Sequence, residues 1–330
     1  MALMALQVDT TRPAFSEWLA QVREEALARG IREEIVAQTL DTLEEPLPVV
    51  LERDRSQAEA VLSLEQYIGR ILTPKLIAVG REKVAEQRAL LDAVAARYGV
   101  PAGIVAGVWG VESSFGRFSG VRPTIGALAT LAWDPRRSAF FRAELFDALE
   151  ILNRGDIEPA AMKGSWAGAM GQVQFMPSSY LQFAEDFDGD GRKDIWSTPG
   201  DIFASAANYL KGHGWLPDQT WGREVLVPVA SMRRIRRDVA LREGRCRALR
   251  NMTVGLPLAR WRALGVRLPS GRPLPTADLT ASLVSGRTRH FLVYPNYDAL
   301  LEYNCSHSYA LTVALLGDAV ATSPAPPKAR

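Results

Sequence analysis

Cysteine is nearly absent from this chain: only Cys246 and Cys305 occur. Two are too few for the framework of a disulfide-stapled scaffold, and they stand at no metal-ligand spacing. A disulfide and two free thiols both stay open on the sequence. The three histidines, His213, His290 and His307, are scattered, so no zinc pattern and no local Ser-His-Asp grouping forms, and each reads as structural. A P-loop is also missing, as is any internal repeat. No run approaches the ~18 consecutive apolar residues of a membrane span. An excess of one charge is missing as well: 39 basic and 37 acidic residues leave a net charge of +2, which excludes the strongly basic balance of nucleic-acid binders. The start, MALMALQVDTTRPAF, is apolar only to Val8 and has neither a basic n-region nor a full h-region. No intact signal peptide is expected, and a cytosolic start and an export signal lost from it both stay open.

What is present is the composition of a globular protein long enough for roughly two domains and a sizeable core. The first hundred residues read as helices. Phe15, Trp18, Leu19, Val22 and Ala26 form one apolar stripe that Gly30 stops. IREEIVAQTLDTL, SLEQYIGRIL and the segment from Lys75 to Tyr98 continue the pattern, and Pro101 can open a further helix. More helices are expected from Asp134 to Asn153, Pro177 to Glu185 and Pro199 to Lys211. REVLVPV, DLTASLV and HFLVYP are short and β-branched and read as strands. SHSYALTVALLGDAV returns to helix, and TSPAPPKAR reads as a proline-rich disordered tail. The basic run SMRRIRRDVALREGRCRALR, Ser231 to Arg250, reads as a solvated face or mobile loop, with contact to an anionic polymer or membrane as the alternative.

Three segments carry chemistry. In VWGVESSFGRFSG, a lone carboxylate, Glu112, lies one helical turn beyond Val108, on the border of an apolar stripe of Ile104, Val108, Val111 and Phe115. Apolar surroundings raise a carboxyl pKa, as a general acid near neutral pH requires; a helix-end glutamate facing water is the plainer alternative. In SWAGAMGQVQFMPSSYLQF the glycines allow close backbone approach. There Gln172 and Gln174 can donate and accept at once, which suits sugar hydroxyls and acetamido groups, although a tight turn explains the glycines equally well. In DFDGDGRKDIWS, Asp186, Asp188 and Asp190 alternate before Gly191, the oxygen pattern of a calcium loop. Ser197 stands where the usual bidentate glutamate would be, and Asp201 could supply that carboxylate from a longer loop. A polar surface turn is the other reading.

Taken in order, VWGVESSFG, LATLAWDPRRSAFFRAEL, AGAMGQVQFMPSSY with DFDGDGRKDIW, AANYLKGHGW and EYNCSHSYALTVALLGD resemble the lytic murein transglycosylases of the membrane-bound lytic transglycosylase B family, over roughly residues 15 to 320. The resemblance implies cleavage of the β-1,4 bond between N-acetylmuramic acid and N-acetylglucosamine in peptidoglycan. It also implies 1,6-anhydromuramoyl ends, with one glutamate, Glu112, as acid and then base. It maps substrate contacts onto Ser165, Gln174, Tyr209, Asn304 and Tyr309, the two tyrosines walling the groove and able to orient Glu112. A structural calcium would fall on Asp186, Asp188, Asp190, the Arg192 carbonyl and Asp201, with no cofactor needed for catalysis. The implied protein is a monomer of the periplasm or cell envelope that binds glycan strands and no nucleic acid, with cell-wall machinery as potential partners. This start lacks the lipid-attachment cysteine of some members.

The expected fold is mainly α: a lysozyme-like catalytic core over 97–215 with the calcium-type loop, a helical domain over 13–96 completed by 299–321, and a β-containing part over 216–298. Residues 1–12 and 322–330 are expected to be unstructured. No second acid stands beside Glu112 in sequence; Asp134 or Glu144 could approach it in the fold, and the reading is that neither does. A lysozyme-type hydrolase, which normally needs a second carboxylate, and a non-catalytic wall-binding protein are the rival readings. A Cys246–Cys305 link would tether the last helix to the basic region.

Overall fold

The computed structural model describes residues 13–56 and 62–321; the expected unstructured start and tail lie outside the described residues. Helices α1 (Phe15–Ala28), α2 (Glu33–Thr39), α3 (Pro48–Ser56), α4 (Leu64–Ile71), α5 (Pro74–Glu86), α6 (Arg88–Tyr98) and α7 (Ala102–Ser113) come first. Two short strands, β1 (Arg122–Pro123) and β2 (Lys163–Gly164), enclose α8 (Thr124–Trp133) and α9 (Ser138–Arg154). After α10 (Pro177–Phe183) and α11 (Pro199–Gly212) come β3 (Gly222–Val225), α12 (Val229–Asp238), α13 (Arg247–Arg250), β4 (Leu256–Pro257), α14 (Leu258–Ala263), β5 (Thr280–Ser285) and β6 (His290–Val293). Helices α15 (Asn296–Tyr303) and α16 (His307–Ala321) close the chain. Among the described residues no single helix is long and apolar enough to cross a membrane.

The chain divides into two compact units. The first takes Met1–Ala60, Ser119–Gln182 and Asp188–Thr198. Its centre is α8, packed on α9 and flanked by α1 and α3. The stripe expected of α1 is the buried one: Phe15, Trp18, Leu19, Val22 and Ala26. α8 was not anticipated. Its sequence, TIGALATLAW, is buried on every side apart from Trp133, so it has no polar face and no 3.6-residue alternation to read. The helix expected from Asp134 therefore starts later, at Ser138. Asp134 ends α8 instead, its carboxylate accepting from the Arg136 backbone N–H at 3.1 Å.

The second unit takes Val61–Phe118, Phe183–Phe187 and Pro199–Arg330. Its helical part is built on α7 and α16, which run antiparallel in contact. The contact is backbone to backbone: a Cβ added at Gly107 would meet Val313 O at 2.3 Å, and one added at Gly317 would meet Gly103 O at 2.5 Å. Only glycine permits such an approach. Helices α4 and α5 pack on α16, and α11 packs on α6, α7 and α15. The rest of the unit is a four-stranded antiparallel sheet in the order β3-β6-β5-β4, in register through Arg223↔Leu292 and Leu283↔Leu292. Its strands include the three expected from β-branched runs. They close over Leu258, Trp261, Leu283 and Leu292, and Trp261 Nε1 donates to Ala281 O at 2.8 Å. The basic run, read as a solvated face or mobile loop, begins within a helix, α12, whose arginines are exposed while Ser231 and Ile235 bury its other side.

Candidate active site

Glu112 occupies the last turn of α7. Every residue from Ile104 to Gly110 is buried, so the helix delivers its one carboxylate out of an apolar core. The helix stops immediately afterwards. Ser114 and Phe115 are left-handed at φ 52° and 61° although neither is glycine, and their backbone N–H groups donate to Gly110 O at 3.0 Å and Trp109 O at 3.3 Å. Phe115 was expected to extend the helical stripe. Instead it turns back, packing edge-on against Trp109 at 5.3 Å between ring centroids, and seals the underside of the helix end. Backbone held in sparsely populated regions clusters at functional sites.

Tyr309, in the first turn of α16, donates its hydroxyl hydrogen to Glu112 Oε1 at 2.5 Å. The glycine contact between α7 and α16 brings these two side chains within reach. Glu112 is half-buried, and burial pushes its carboxyl up to about 7, while the Tyr309 hydrogen bond pulls the other way. Among the described residues no other acid contributes to that shift. Burial first, then the charge of Glu112, holds the Tyr309 and Tyr303 hydroxyls well above the usual tyrosine range, so both stay protonated donors. Tyr67 on α4 is raised by the same two causes. The rings of Tyr303 and Tyr309 stack at 6.2 Å, and Tyr209 meets Tyr303 at 4.6 Å. Glu112 is thus set in a wall of tyrosines.

The five expected substrate contacts differ in what holds them. Tyr309 touches Glu112 directly. Tyr209 donates to Glu302 O at 2.8 Å and packs against Tyr303, whose ring stacks on Tyr309. Asn304 is exposed at the C-cap of α15, immediately after Tyr303. In the first unit, Ser165 Oγ accepts from the backbone N–H groups of Ala167 at 3.3 Å and Ala169 at 3.1 Å, which closes the AGAMG turn. The glycines of that turn are packing residues: a Cβ at Gly168 would meet Leu128 Cδ2 at 2.3 Å, and one at Gly171 would meet Ile195 O at 2.6 Å. Gln174 is left-handed at φ 50° and its Nε2 donates to Gly171 O at 2.9 Å and Ser119 O at 3.3 Å, which fixes its amide plane. Gln172 donates to Trp196 O at 2.7 Å. Tyr67 and Tyr303 were not singled out by sequence; YNCSHSY contains Tyr303, but nothing in the spacing separates it from its neighbours.

The two acids weighed as partners for Glu112 are engaged within the first unit. Asp134 is forked by Arg136 at 2.9 and 3.3 Å, and Glu144 accepts from Ser178 N at 2.9 Å and Ser178 Oγ at 2.7 Å.

The acidic loop brings one oxygen each from Asp186, Asp188 and Asp190 within 4.8 Å of one another. Two oxygens bound at about 2.4 Å on opposite sides of one calcium span about 4.8 Å, so the three fit a single ion. Left-handed Gly189 and Gly191 make the turn, and Asp188 and Asp190 accept from the backbone N–H two residues on, at 3.2 and 2.8 Å. Asp201 is buried, and its Oδ1 accepts from Phe187 N at 2.8 Å, so it braces the loop backbone. Asp194 accepts from Trp196 N and Ser197 N at 2.8 and 2.9 Å.

The sequence profile of the transglycosylase SLT domain matches residues 14–318. The membrane-bound lytic murein transglycosylase B of Escherichia coli K12 is 36% identical over 228 residues, 68% of this chain; the matched region spans 58% of that relative's own length. The crystal structure of SltB3 from Pseudomonas aeruginosa in complex with NAG-anhNAM-pentapeptide superposes with a TM-score of 0.84 at 39% identity, over 93% of this chain and 80% of that one. The Escherichia coli lytic transglycosylase Slt35 in complex with calcium gives 0.72 at 30% identity, over 92% of each chain. The lysozyme-like, mainly helical fold is shared with Slt35.

Proposed function

The chain belongs to the transglycosylase SLT domain family, and from that membership we propose that it is a lytic transglycosylase that cleaves the β-1,4 bond between N-acetylmuramic acid and N-acetylglucosamine in peptidoglycan. The observation that carries this reading is Glu112: one carboxyl, raised to about 7 by burial, held by Tyr309, with no second acid among the described residues acting on it. Such a group can give a proton and take one back at the same pH. Protonated Glu112 donates to the glycosidic oxygen as the bond to C1 breaks. The resulting carboxylate removes the proton of the C6 hydroxyl, whose oxygen bonds to C1 and closes the 1,6-anhydro ring. The proton budget balances without water, and Glu112 ends as it began. The complex of SltB3 with an anhydromuramoyl product supports this outcome.

Ser165, Gln174, Tyr209, Asn304 and Tyr309 are proposed as the glycan contacts. Tyr209 and Tyr309 wall the site, and Gln174 and Asn304 offer amides to sugar substituents. Asp186, Asp188 and Asp190 would hold a calcium, with the Arg192 carbonyl and Asp201 as further oxygens. The fit of the three clustered carboxylates and the calcium complex of Slt35 support this. The ion would supply structural cross-linking of the loop and no catalytic step. A peptidoglycan substrate places the protein in the cell envelope.

The test is digestion of purified sacculi followed by mass spectrometry of the soluble products, with Glu112→Gln in parallel. Anhydro-muropeptides that vanish in the variant are expected. Reducing-end muropeptides would make the protein a hydrolase, and products that persist in the variant would remove Glu112 from the mechanism.

A further inference from the structure

The net charge of the chain conceals a sharp polarity. Between Gly222 and Asp298 stand fifteen arginines, no lysine and five acids (Glu224, Asp238, Glu243, Asp278 and Asp298), a balance of +10 in a chain whose total is +2. The sheet-containing part of the second unit is therefore strongly cationic, and the remainder of the molecule is anionic. The glycan chemistry proposed above uses none of these arginines.

The charge is organised on α12. Ser231 and Ile235 bury one side of this helix. Val229, Arg233, Arg236 and Arg237 share the opposite side at helical spacing, and all four are exposed. Arg237 is paired with Asp238 at 2.7 and 2.9 Å. That hydrogen bond lowers the Asp238 carboxyl, and Arg260 and Arg234 lie close enough to add to the effect, so three guanidinium groups gather around one acid. Arg233 and Arg236 make no ion pair among the described residues. An uncompensated cluster of this kind repels itself and gains from an anionic surface.

Aliphatic side chains accompany the charge. Leu226 and Val229 at the start of α12 and Leu241 just beyond its end are 46%, 71% and 59% exposed. Beside the helix lies a cavity of about 270 Å³ of mixed lining, with Met232, Ile235 and Leu241 on one hand and Arg236, Asn251 and Thr253 on the other. A surface for sugar rings would present exposed aromatic faces; among the large exposed side chains of this part there are none. Guanidinium groups for phosphate and exposed aliphatic residues for the acyl boundary are the features of an interfacial helix.

We propose that the arginine face of α12, with Leu226, Val229 and Leu241, docks the protein on an anionic phospholipid surface. The helix lies in the interfacial plane, Arg233 and Arg236 contact headgroup phosphates, and the aliphatic residues enter the acyl boundary. This proposal stands apart from the glycan reading, because the docking residues are remote in role from Glu112 and its tyrosines.

The experiment is co-sedimentation of the full chain with vesicles of phosphatidylcholine alone and of phosphatidylcholine containing phosphatidylglycerol, at low and high salt. Purified sacculi provide a parallel arm. Binding to the anionic vesicles only, weakened by salt, is expected. Arg233→Gln with Arg236→Gln should lower the partition coefficient about 30-fold, from about fivefold per arginine, and Val229→Ser should lower it further. All three sites are exposed, so thermal melting should be unchanged, as should activity on solubilised glycan strands. Equal sedimentation with neutral and anionic vesicles, or variants that bind like the parent, would overturn the proposal. So would a double variant that keeps its vesicle binding but loses sacculi, since the partner would then be the wall polymer.

Discussion

Tyr309 donates a 2.5 Å hydrogen bond to Glu112, and the two residues arrive from helices 197 positions apart in sequence. The bond stabilises the carboxylate against burial, which raises its pKa to about 7. Tyr309→Phe keeps the ring and removes the bond, so the Glu112 pKa should climb further. The alkaline limb of the kcat/KM profile should then move to higher pH. A hydrogen bond to a charged group is worth about 1.5–3 kcal/mol, so loss of the positioned carboxylate should lower kcat at least tenfold. A pH–rate profile of parent and variant on glycan strands checks both; an unmoved alkaline limb would separate Tyr309 from the ionisation of Glu112.

The same carboxyl should make the protein less stable as pH rises. Folded Glu112 titrates at about 7 and the unfolded chain at 4.5, so the native state holds more protons between those values. Stability falls through that window and levels off above it, by on the order of 3 kcal/mol. Glu112→Gln is neutral at every pH and escapes this loss. It should melt higher than the parent at pH 8 and close to it at pH 4.5. Parallel calorimetric scans at the two pH values read the difference directly, and equal melting at pH 8 would mean that the buried carboxyl is not strained.

How far this site was legible in sequence depends on whether a residue's role is local. Glu112 is a lone acid in an apolar run, the α1 stripe keeps its period, and three strands keep their β-branched composition; each announces itself within a short window of sequence. Helix α8 does not, because a segment buried on all sides has no polar face to mark its period. Tyr67 and Tyr303 owe their place near Glu112 to the packing of α4 and α15, which no window of sequence contains. The spacing that offers Asp201 as a loop carboxylate does not show that its Oδ1 accepts the Phe187 N–H, a contact only the fold reveals. The clustering of Asp186, Asp188 and Asp190 was legible because the three carboxylates lie within five residues.

Gly107 is the tightest point between the two helices that hold the site, and Gly69 is its counterexample. A Cβ at Gly107 would meet Val313 O at 2.3 Å, a backbone atom that cannot step aside; a Cβ at Gly69, on the exposed side of α4, meets nothing within 4 Å. Gly107→Ala should cost about 1–3 kcal/mol through overpacking, and it should reduce kcat as α16 carries Tyr309 away from Glu112. Gly69→Ala should stabilise by about 0.4–1 kcal/mol with activity unchanged. Chemical denaturation and a rate assay on the two variants form a matched pair, and similar behaviour in both would remove the argument for the glycine contact.

Calcium should raise the melting temperature in proportion to the logarithm of its concentration once the site is filled. A ligand at 100 times its dissociation constant adds about 2.7 kcal/mol. Asp188→Asn, at an exposed position of the three-aspartate cluster, should weaken the response without lowering stability in chelator. Magnesium should substitute poorly, since it demands a tighter octahedral shell. Thermal melts with calcium, magnesium and chelator decide the point; a calcium response equal in parent and variant would place any bound ion elsewhere.

Cys246 and Cys305 are joined in a disulfide across 59 residues, the alternative that sequence left open beside two free thiols. The bond ties the segment before α13 to the loop between α15 and α16, and that loop carries Asn304 and leads directly into Tyr309. By loop-closure entropy a link of this span is worth about 4 kcal/mol. A reducing agent should therefore lower the melting temperature of the parent. Cys246→Ser should melt at that lower temperature with or without reductant, while leaving the Asn304 loop intact in sequence. Release of the loop should also raise KM for glycan strands more than it lowers kcat, because Tyr309 remains fastened through α16 while Asn304 loses its neighbour's anchor. An equal fall in both constants would mean that the bond serves global stability alone.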